Sequence, residues 1–190
     1  LVGDEQSGHI REVGFELYQS MLEDAIMEAK AGGSTSFIPR DAFSPQITID
    51  APIQIPEEYV PDLDLRMGLY RRLNDLEDAH AIEAFAAELI DRFGKIPAAT
   101  QNLLTLIQIK QNCVTAGISR LDVGAKGALV TFHNDSFTNP AGLIDYVQRL
   151  QGSAKLRPDN KLVIIRAWKD GAARLHAGLQ LSRGLAKVAG

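Results

Sequence analysis

The sequence of 190 residues is poor in the features that mark secreted, membrane-spanning or disulfide-bonded proteins. It contains one cysteine, so no disulfide can form within the chain, and this fits a reducing compartment. No apolar run approaches the roughly 20 residues that a membrane helix needs, and no signal peptide precedes the first predicted helix. These absences predict a soluble cytoplasmic protein with no membrane partner.

Motifs of the common catalytic and metal sites are also missing. The stretch GAKGA has neither the spacing nor the strand-to-helix context of a phosphate-binding loop, and no G-x-S-x-G nucleophile elbow occurs. The four histidines are not spaced as metal ligands, and Cys113 falls in a helix whose pattern predicts burial. We therefore expect no catalytic residue, no metal and no bound cofactor in this chain.

The net charge of −4 conceals an uneven distribution. Residues 155–190 contain eight basic residues against two acidic ones, so the rest of the chain is strongly acidic. A basic surface can bind an anionic partner, although most surface charge is simply solvated. The candidate basic surface consists of Lys155, Arg157, Lys161 and Arg166. Because no aromatic residues are interleaved with these four, stacking of nucleic-acid bases is disfavoured here.

The residue pattern divides the chain into three parts. A polar loop punctuated by glycines leads into an amphipathic helix over about residues 10–30, which a pair of glycines ends. The following stretch mixes Gly, Ser and Pro without a period, which is typical of a flexible tether. We place the boundaries at 1–31 for the loop and helix, 32–45 for the tether and 46–190 for the main domain.

Within the main domain, two short alternating runs come first, then residues with helical periodicity, and then longer runs that alternate as in strands. The short alternating runs QITI and IQI contain or adjoin prolines, which confines them to edge strands or extended segments. ISRLDV and ALVTFH alternate around GAKG, a pattern that predicts a β-hairpin, and KLVIIRAW predicts a further strand. The predicted helices are Leu63–Asp75, Ala79–Phe93, Pro97–Ala116, one from Asn139-Pro140 to Leu150, and Ala172–Val188. The fold class is therefore α+β: an N-terminal extended helix and tether, then a helical half packed on a small, mainly antiparallel sheet with flanking helices.

The helix predicted over Ala79–Phe93 has two different faces. Its apolar face comprises Ile82, Phe85, Ala86, Leu89, Ile90 and Phe93. The opposite face, which we call the ridge, comprises Ala84, Ala87, Glu88 and Asp91. Two carboxylates one turn apart with only methyl groups between them suit an arginine on a partner. A solvated helix back is the competing interpretation, and the residue types alone favour it.

The opening stretch LVGDEQSGHIREVGFELYQSML resembles the end of the motor region of bacterial transcription-repair-coupling factors, the Mfd family, where it closes a translocation motif shared with the RecG helicase. The resemblance continues in IPEEYVPDLDLRMGLYRRL, ELIDRFGKIP, NPAGLIDYV and KLRPDNKLVIIRAW, which look like successive segments of the family's C-terminal domain. A general RecG-like helicase would share only the opening. The later segments therefore point to the coupling factors.

This resemblance implies a role for each part of the chain. Residues 1–31 would be the tail of the second RecA-like domain of an ATP-dependent DNA translocase that uses ATP and Mg. The motor-coupling loop would comprise Gly3, Gln6, Ser7, Gly8 and His9, with Gln6 as the residue that couples nucleotide state to DNA movement. From the residues alone, Gln6 and Ser7 would merely cap the turn into the helix.

For residues 46–190, the resemblance implies a non-catalytic, autoinhibitory domain. It would cover the parent protein's own UvrB-like domain and so mask the surface that recruits UvrA, until the motor engages stalled RNA polymerase on duplex DNA. The ridge would then be the surface that faces the UvrB-like domain. The alternative is that the basic surface contacts DNA or RNA polymerase.

Overall fold

The computed structural model describes residues 45–190, so the predicted loop, first helix and most of the tether lie outside the described residues. The described part contains five α-helices, one 3-10 turn and a five-stranded sheet. The helices are α1 (Leu63–Asn74), α2 (Ala79–Phe93), α3 (Ala98–Ala116), α4 (Pro140–Arg149) and α5 (Gly171–Ala189). The strands are β1 (Gln46–Ile49), β2 (Ile118–Gly124), β3 (Gly127–Phe132), β4 (Ala154–Leu156) and β5 (Leu162–Ile165). The predicted α+β class is confirmed.

The described residues belong to two compact units. The first contains residues 52–76 and 80–104, and therefore α1, most of α2 and the first part of α3. The second contains residues 45–51, 77–79 and 105–190, and therefore the rest of α3, the sheet, α4 and α5. The ridge lies in the first unit and the basic surface in the second.

Local capping sets the helix ends where the sequence predicts them. The Asp62 carboxylate accepts a hydrogen bond from the Leu65 N–H at 2.7 Å and so begins α1. The Asn139 side chain does the same for α4, accepting from the Gly142 N–H at 3.0 Å, and Pro140 occupies the first helical position. Each cap satisfies an amide that the helix itself leaves without a partner.

The core of the first unit lies between the apolar sides of α1 and α2. It is formed by Leu69, Tyr70, Leu73, Ile82, Phe85 and Leu89. The Tyr70 hydroxyl accepts a hydrogen bond from the Ile55 N–H at 2.7 Å, and both residues are buried. Ile90 differs from its prediction, because it is 54% exposed. It lies one 100° step from Leu89 and therefore at the margin of the apolar face instead of within it.

The sheet of the second unit has the strand order β1-β2-β3-β5-β4. The pair β1–β2 is parallel and the other three pairs are antiparallel, which confirms the predicted mainly antiparallel sheet. The predicted hairpin turns between Gly124 and Gly127, which are paired across it. The run containing Ile53 and Ile55 is not a strand, and the three-residue strand β4 has no counterpart in the predictions.

The two faces of this sheet have different surroundings. One face carries buried residues, among them Leu121, Val130 and Leu162, and α5 lies close to it. A side-chain carbon at Gly178 of α5 would come within 3.0 Å of Ile49 and 3.6 Å of Val123, so the glycine permits this close packing. The opposite face carries residues that are half-buried or exposed. The sheet therefore has one packed face and one open face, as antiparallel sheets commonly do.

Helix α3 is buried along much of its length, as its apolar composition predicts. Four of its residues have at most 2% of their surface exposed: Leu103, Leu106, Ile109 and Cys113. Burial raises the pKa of the Cys113 thiol to about 12 because the thiolate would lose its hydration there. The interpretation of Cys113 as a core residue is confirmed by this burial. Val114, next to Cys113 near the end of the helix, is exposed.

Candidate functional site

The ridge residues lie together on the outward side of α2. Ala84, Ala87 and Asp91 are exposed, and Glu88 is half-buried. Because α2 has 3.6 residues per turn, these four positions fall within one 100° sector opposite Phe85 and Leu89. The two alanines keep the surface low, so another backbone or side chain can approach it closely. The sequence prediction that these residues share an exposed face is confirmed.

Glu88 is held by two arginines of the same unit. Arg72 of α1 donates from Nη1 to Oε1 at 2.8 Å and from Nη2 to Oε2, which makes a two-point ion pair. Arg92, one turn after Glu88 on α2, donates from Nη1 to Oε1 at 2.9 Å. Both oxygens of this carboxylate are therefore already used within the unit.

Aromatic rings hold the two guanidinium groups in place. The Arg72 guanidinium carbon lies 5.0 Å from the centre of the buried Phe85 ring, and that of Arg92 lies 5.0 Å from the centre of the Phe93 ring. Phe93 in turn packs edge-on against Tyr59, with ring centres 5.7 Å apart. The arginines thus have a preferred orientation before any partner arrives.

This arrangement changes the electrostatics of the ridge. The hydrogen bonds from Arg72, and after them those from Arg92, lower the pKa of Glu88 from 4.5 to about 2. Glu88 therefore stays ionised at any physiological pH. Counted together, the formal charges of Arg72, Arg92, Glu88 and Asp91 cancel. The surface is a balanced cluster of charges, and Asp91 is its exposed carboxylate with no ion pair among the described residues.

The two arginines were not among the residues predicted for the site. Arg92 follows Glu88 by four positions, a spacing that favours a helical ion pair and could have identified it. Arg72 precedes Glu88 by sixteen positions and lies on a different helix, so no local sequence pattern predicts their contact. The prediction that the ridge binds an arginine of a partner stays a prediction, and the structure adds that such an arginine would meet Arg72 at the same carboxylate.

The basic surface lies around the β4–β5 hairpin of the second unit. Lys155 lies on β4 opposite Val163, and Arg157 and Lys161 face each other across the turn, where the Arg157 N–H donates to the Lys161 carbonyl at 2.8 Å. Arg157 also forms an ion pair with Asp159 at 3.0 Å. Arg166 follows β5 and is exposed. The structure therefore places Lys155, Arg157 and Lys161 around the β4–β5 turn, whereas Arg166 lies beyond the far end of β5.

The remaining predicted residues lie elsewhere or outside the description. The motor-coupling loop of Gly3, Gln6, Ser7, Gly8 and His9 is outside the described residues. Over residues 45–190, no three His, Cys, Asp or Glu side chains come together in a way that could hold a metal ion. None of the helices in that range is both long enough and apolar enough to cross a membrane.

Comparison with known proteins gives a consistent family. A family model described as the TRCF domain matches residues 49–143. The transcription-repair-coupling factor of Rickettsia conorii is 39% identical over 170 residues, which cover 90% of this chain and 15% of that protein. The transcription-repair-coupling factor of Escherichia coli is 30% identical over 185 residues, covering 97% of this chain and 16% of that protein. The chain thus spans about a sixth of the length of these curated relatives.

A solved structure shares the fold. It is described as the crystal structure of the C-terminal domain of transcription-repair coupling factor, and it superimposes with a TM-score of 0.66. The match covers 79% of this chain and 96% of that one, at 18% sequence identity. The α+β fold described here is therefore one that a solved structure also has.

Proposed function

The chain belongs to the transcription-repair-coupling factor family, and we propose that residues 46–190 regulate the parent protein by covering another of its domains. In this proposal the chain itself catalyses no reaction. The covered partner is the parent's UvrB-like domain, and covering it masks the surface that recruits UvrA. The parent would be an ATP-dependent DNA translocase, using ATP and Mg, that removes stalled RNA polymerase from duplex DNA. Residues 1–31 would be the tail of its motor, with the loop around Gln6 coupling ATP hydrolysis to movement.

The observation that carries this proposal is the exposed ridge on α2. Ala84 and Ala87 present a low surface, and beside them the ion-pair cluster of Arg72, Glu88 and Arg92 holds its charges in fixed positions. Because Arg72 and Arg92 already bind both oxygens of Glu88, an arginine of the partner would bind Glu88 only by displacing one of them. Asp91 adds a carboxylate that has no ion pair with a described residue and could accept an arginine from a partner.

The polarity of this surface suits a contact that must open again. An interface of charged and small side chains is easily separated, whereas a large apolar interface is not. Each surface ion pair contributes only about 0–1 kcal/mol. A few such contacts can nevertheless decide between a closed and an open state, because roughly 1.4 kcal/mol changes an equilibrium tenfold.

The proposal is tested by titrating the isolated UvrB-like domain of the parent with this chain. The variants are Asp91→Ala, which breaks no ion pair or hydrogen bond with a described residue, and the double variant Glu88→Ala with Asp91→Ala. We expect the single variant to weaken binding several-fold and the double variant to weaken it further. The loss should amount to a few kcal/mol at most, since these are surface contacts.

The matched control removes two exposed carboxylates from the same unit, Glu57→Ala with Glu58→Ala. It changes the net charge as much as the double variant does and leaves the ridge intact. Equal affinities for the wild type and the double variant would remove the ridge from the interface. An equal loss of affinity in the control would show that the effect comes from net charge alone.

A second candidate function is contact with DNA or RNA polymerase through the basic surface. Lys155 and Arg166 favour it, because both are exposed and neither forms an ion pair with a described residue. Salt distinguishes the candidates. Binding to duplex DNA through phosphates would fall steeply as ionic strength rises, and binding to the UvrB-like domain would fall less.

A further inference from the structure

The open face of the sheet carries an apolar strip in its middle. Leu129 of β3 lies opposite Val163 of β5, which lies opposite Lys155 of β4. Ile165 follows Val163 by two positions and therefore points to the same face. Its exposure of 70% is the highest of any large hydrophobic residue in the described part of the chain. The strip is thus defined here as Leu129, Val163 and Ile165.

The residues of the strip are not part of the buried core, since Leu129 and Val163 are half-buried and Ile165 is exposed. The core on the other face is completed by Leu162 and Ile164, which alternate with the strip residues along β5 and are buried. Ile165 gains little cover from its neighbour on β3, because the residue opposite it is Gly127, which has no side chain. Leaving an isoleucine side chain in water instead of burying it forgoes hydrophobic stabilisation. A partner that covers the strip would recover it.

Unmatched positive charges stand at one end of the strip. Lys155 lies beside Val163, and Lys161 precedes Val163 by two positions on the same side of the strand. At the other end, Arg166 follows Ile165 and so alternates to the opposite face of the sheet. Neither Lys155 nor Lys161 forms an ion pair with a described residue, whereas Arg157 and Arg120 are paired with Asp159 and Asp122.

We propose that this open face docks a segment of a protein that presents an apolar side chain next to a group of carboxylates. The apolar side chain would cover Ile165 and Val163, and the carboxylates would pair with Lys155 and Lys161. This surface is independent of the ridge, so it does not depend on the proposed role of α2. Charge complementarity and the apolar centre together identify the chemistry of the partner.

Two other occupants fit less well. A nucleic-acid backbone needs cations along its whole path and aromatic rings for its bases, and the strip offers three aliphatic side chains instead. A second copy of the chain in a symmetric dimer would place the same surface on both sides and bring its unmatched cations together. An acidic and apolar segment meets neither difficulty.

The test uses the ¹⁵N-labelled chain and a short synthetic peptide with two glutamates on one side of a leucine. The comparison probes are the same peptide with glutamine in place of every glutamate, the same peptide with alanine in place of leucine, and a short DNA duplex. We expect the acidic peptide to shift the backbone amide signals of β3, β4 and β5. Both altered peptides should bind about tenfold more weakly, as loss of one such contact predicts.

Variants of the chain locate the contact. Ile165→Ser and the double variant Lys155→Glu with Lys161→Glu should each lower the affinity for the acidic peptide about tenfold. The controls are Ile144→Ser, a half-exposed isoleucine on α4, and Lys187→Glu, an exposed lysine on α5. Both should bind the peptide as the wild type does.

Three results would overturn the proposal. The first is the absence of peptide-dependent shifts at β3, β4 and β5. The second is tighter binding of the DNA duplex than of the acidic peptide, with no effect of Ile165→Ser, which would assign the face to nucleic acid. The third is an equal loss of affinity in the Ile144 and Lys187 controls.

Discussion

Arg72 and Glu88 are joined at two points although they lie sixteen positions apart in the sequence, with Arg72 Nη1 lying 2.8 Å from Glu88 Oε1 and Nη2 bonded to Oε2. The pair connects α1 to α2 at the surface that we propose for docking. An arginine from a partner would need the same oxygens. The domain therefore contains its own competitor for the site, and the affinity of the site depends on how firmly Arg72 holds Glu88.

Replacing Arg72 by methionine should strengthen docking. Arg72→Met keeps an unbranched side chain over Phe85 and releases both oxygens of Glu88 for a partner arginine. We expect the affinity for the UvrB-like domain to rise several-fold, as measured by calorimetric titration, because the partner no longer displaces an existing ion pair. The control is Arg71→Met, an exposed neighbour on α1. Weaker binding of the Arg72 variant would instead mean that Arg72 itself contacts the partner.

The titration of Glu88 reports the same contact. Its pKa should be about 2 in the wild type and should rise toward 4.5 in Arg72→Met, with a smaller rise in Arg92→Met, because Arg72 makes the larger contribution. Carboxyl ¹³C shifts recorded against pH measure this directly. A wild-type value near 4.5 would show that the ion pair does not persist in solution.

The lowered pKa of Glu88 also fixes the sign of its effect on stability. The folded protein holds the charged form more tightly than the unfolded chain does, so the ion pair stabilises the fold fully above pH about 4.5. Its contribution is lost as the pH falls toward 2. The difference in free energy of unfolding between the wild type and Glu88→Gln should therefore be constant near neutral pH and shrink between pH about 4.5 and 2. Urea unfolding across this range provides the measurement.

The hydrogen bond from the Ile55 N–H to the Tyr70 hydroxyl should contribute measurably to stability. Tyr70→Phe would leave this buried N–H without its acceptor, at a cost of about 1–3 kcal/mol in the free energy of unfolding. Urea unfolding compares it with Tyr146→Phe, a partly buried tyrosine whose hydroxyl makes no hydrogen bond to a described residue. Equal stability of the two variants would mean that the Ile55 N–H finds another acceptor.

Gly127 at the end of the hairpin should tolerate no side chain. A Cβ there would come within 2.0 Å of the Ile164 carbonyl oxygen, and its φ of +155° is unfavourable for other residues. Gly127→Ala should therefore destabilise the fold by about 3 kcal/mol or more. Gly124→Ala, on the other side of the same turn, has 3.9 Å of space and should cost less than about 1 kcal/mol. Thermal unfolding of both variants would show whether the strand can move away.

The helix boundaries were readable from the sequence because local chemistry sets them. The Asn139-Pro140 pair opens α4, and Gly94 and Gly117, both with positive φ, end α2 and α3 where predicted. The hairpin was readable from its alternation and its glycines. Strand β4 was not, since its three residues are too few to show a period and its formation depends on pairing with β5.

The candidate site could be predicted only in part, because some of its contacts join separate elements of the fold. The helical period places Ala84, Ala87, Glu88 and Asp91 on one face, and the structure agrees. The charge that surrounds them comes from Arg72, whose contact depends on how α1 packs against α2. A helical wheel describes one helix at a time, so it predicted an acidic surface where the fold makes a balanced one.

The burial of Cys113 has a practical consequence for watching this protein at work. The chain has no other thiol, and this one lies in the core with its proton firmly held. A cysteine placed at Ala87 or Ile165 would then be the single site that takes up a maleimide dye or a spin label under native conditions. Each of the two surfaces could thus be followed on its own, in real time, without first removing the natural cysteine.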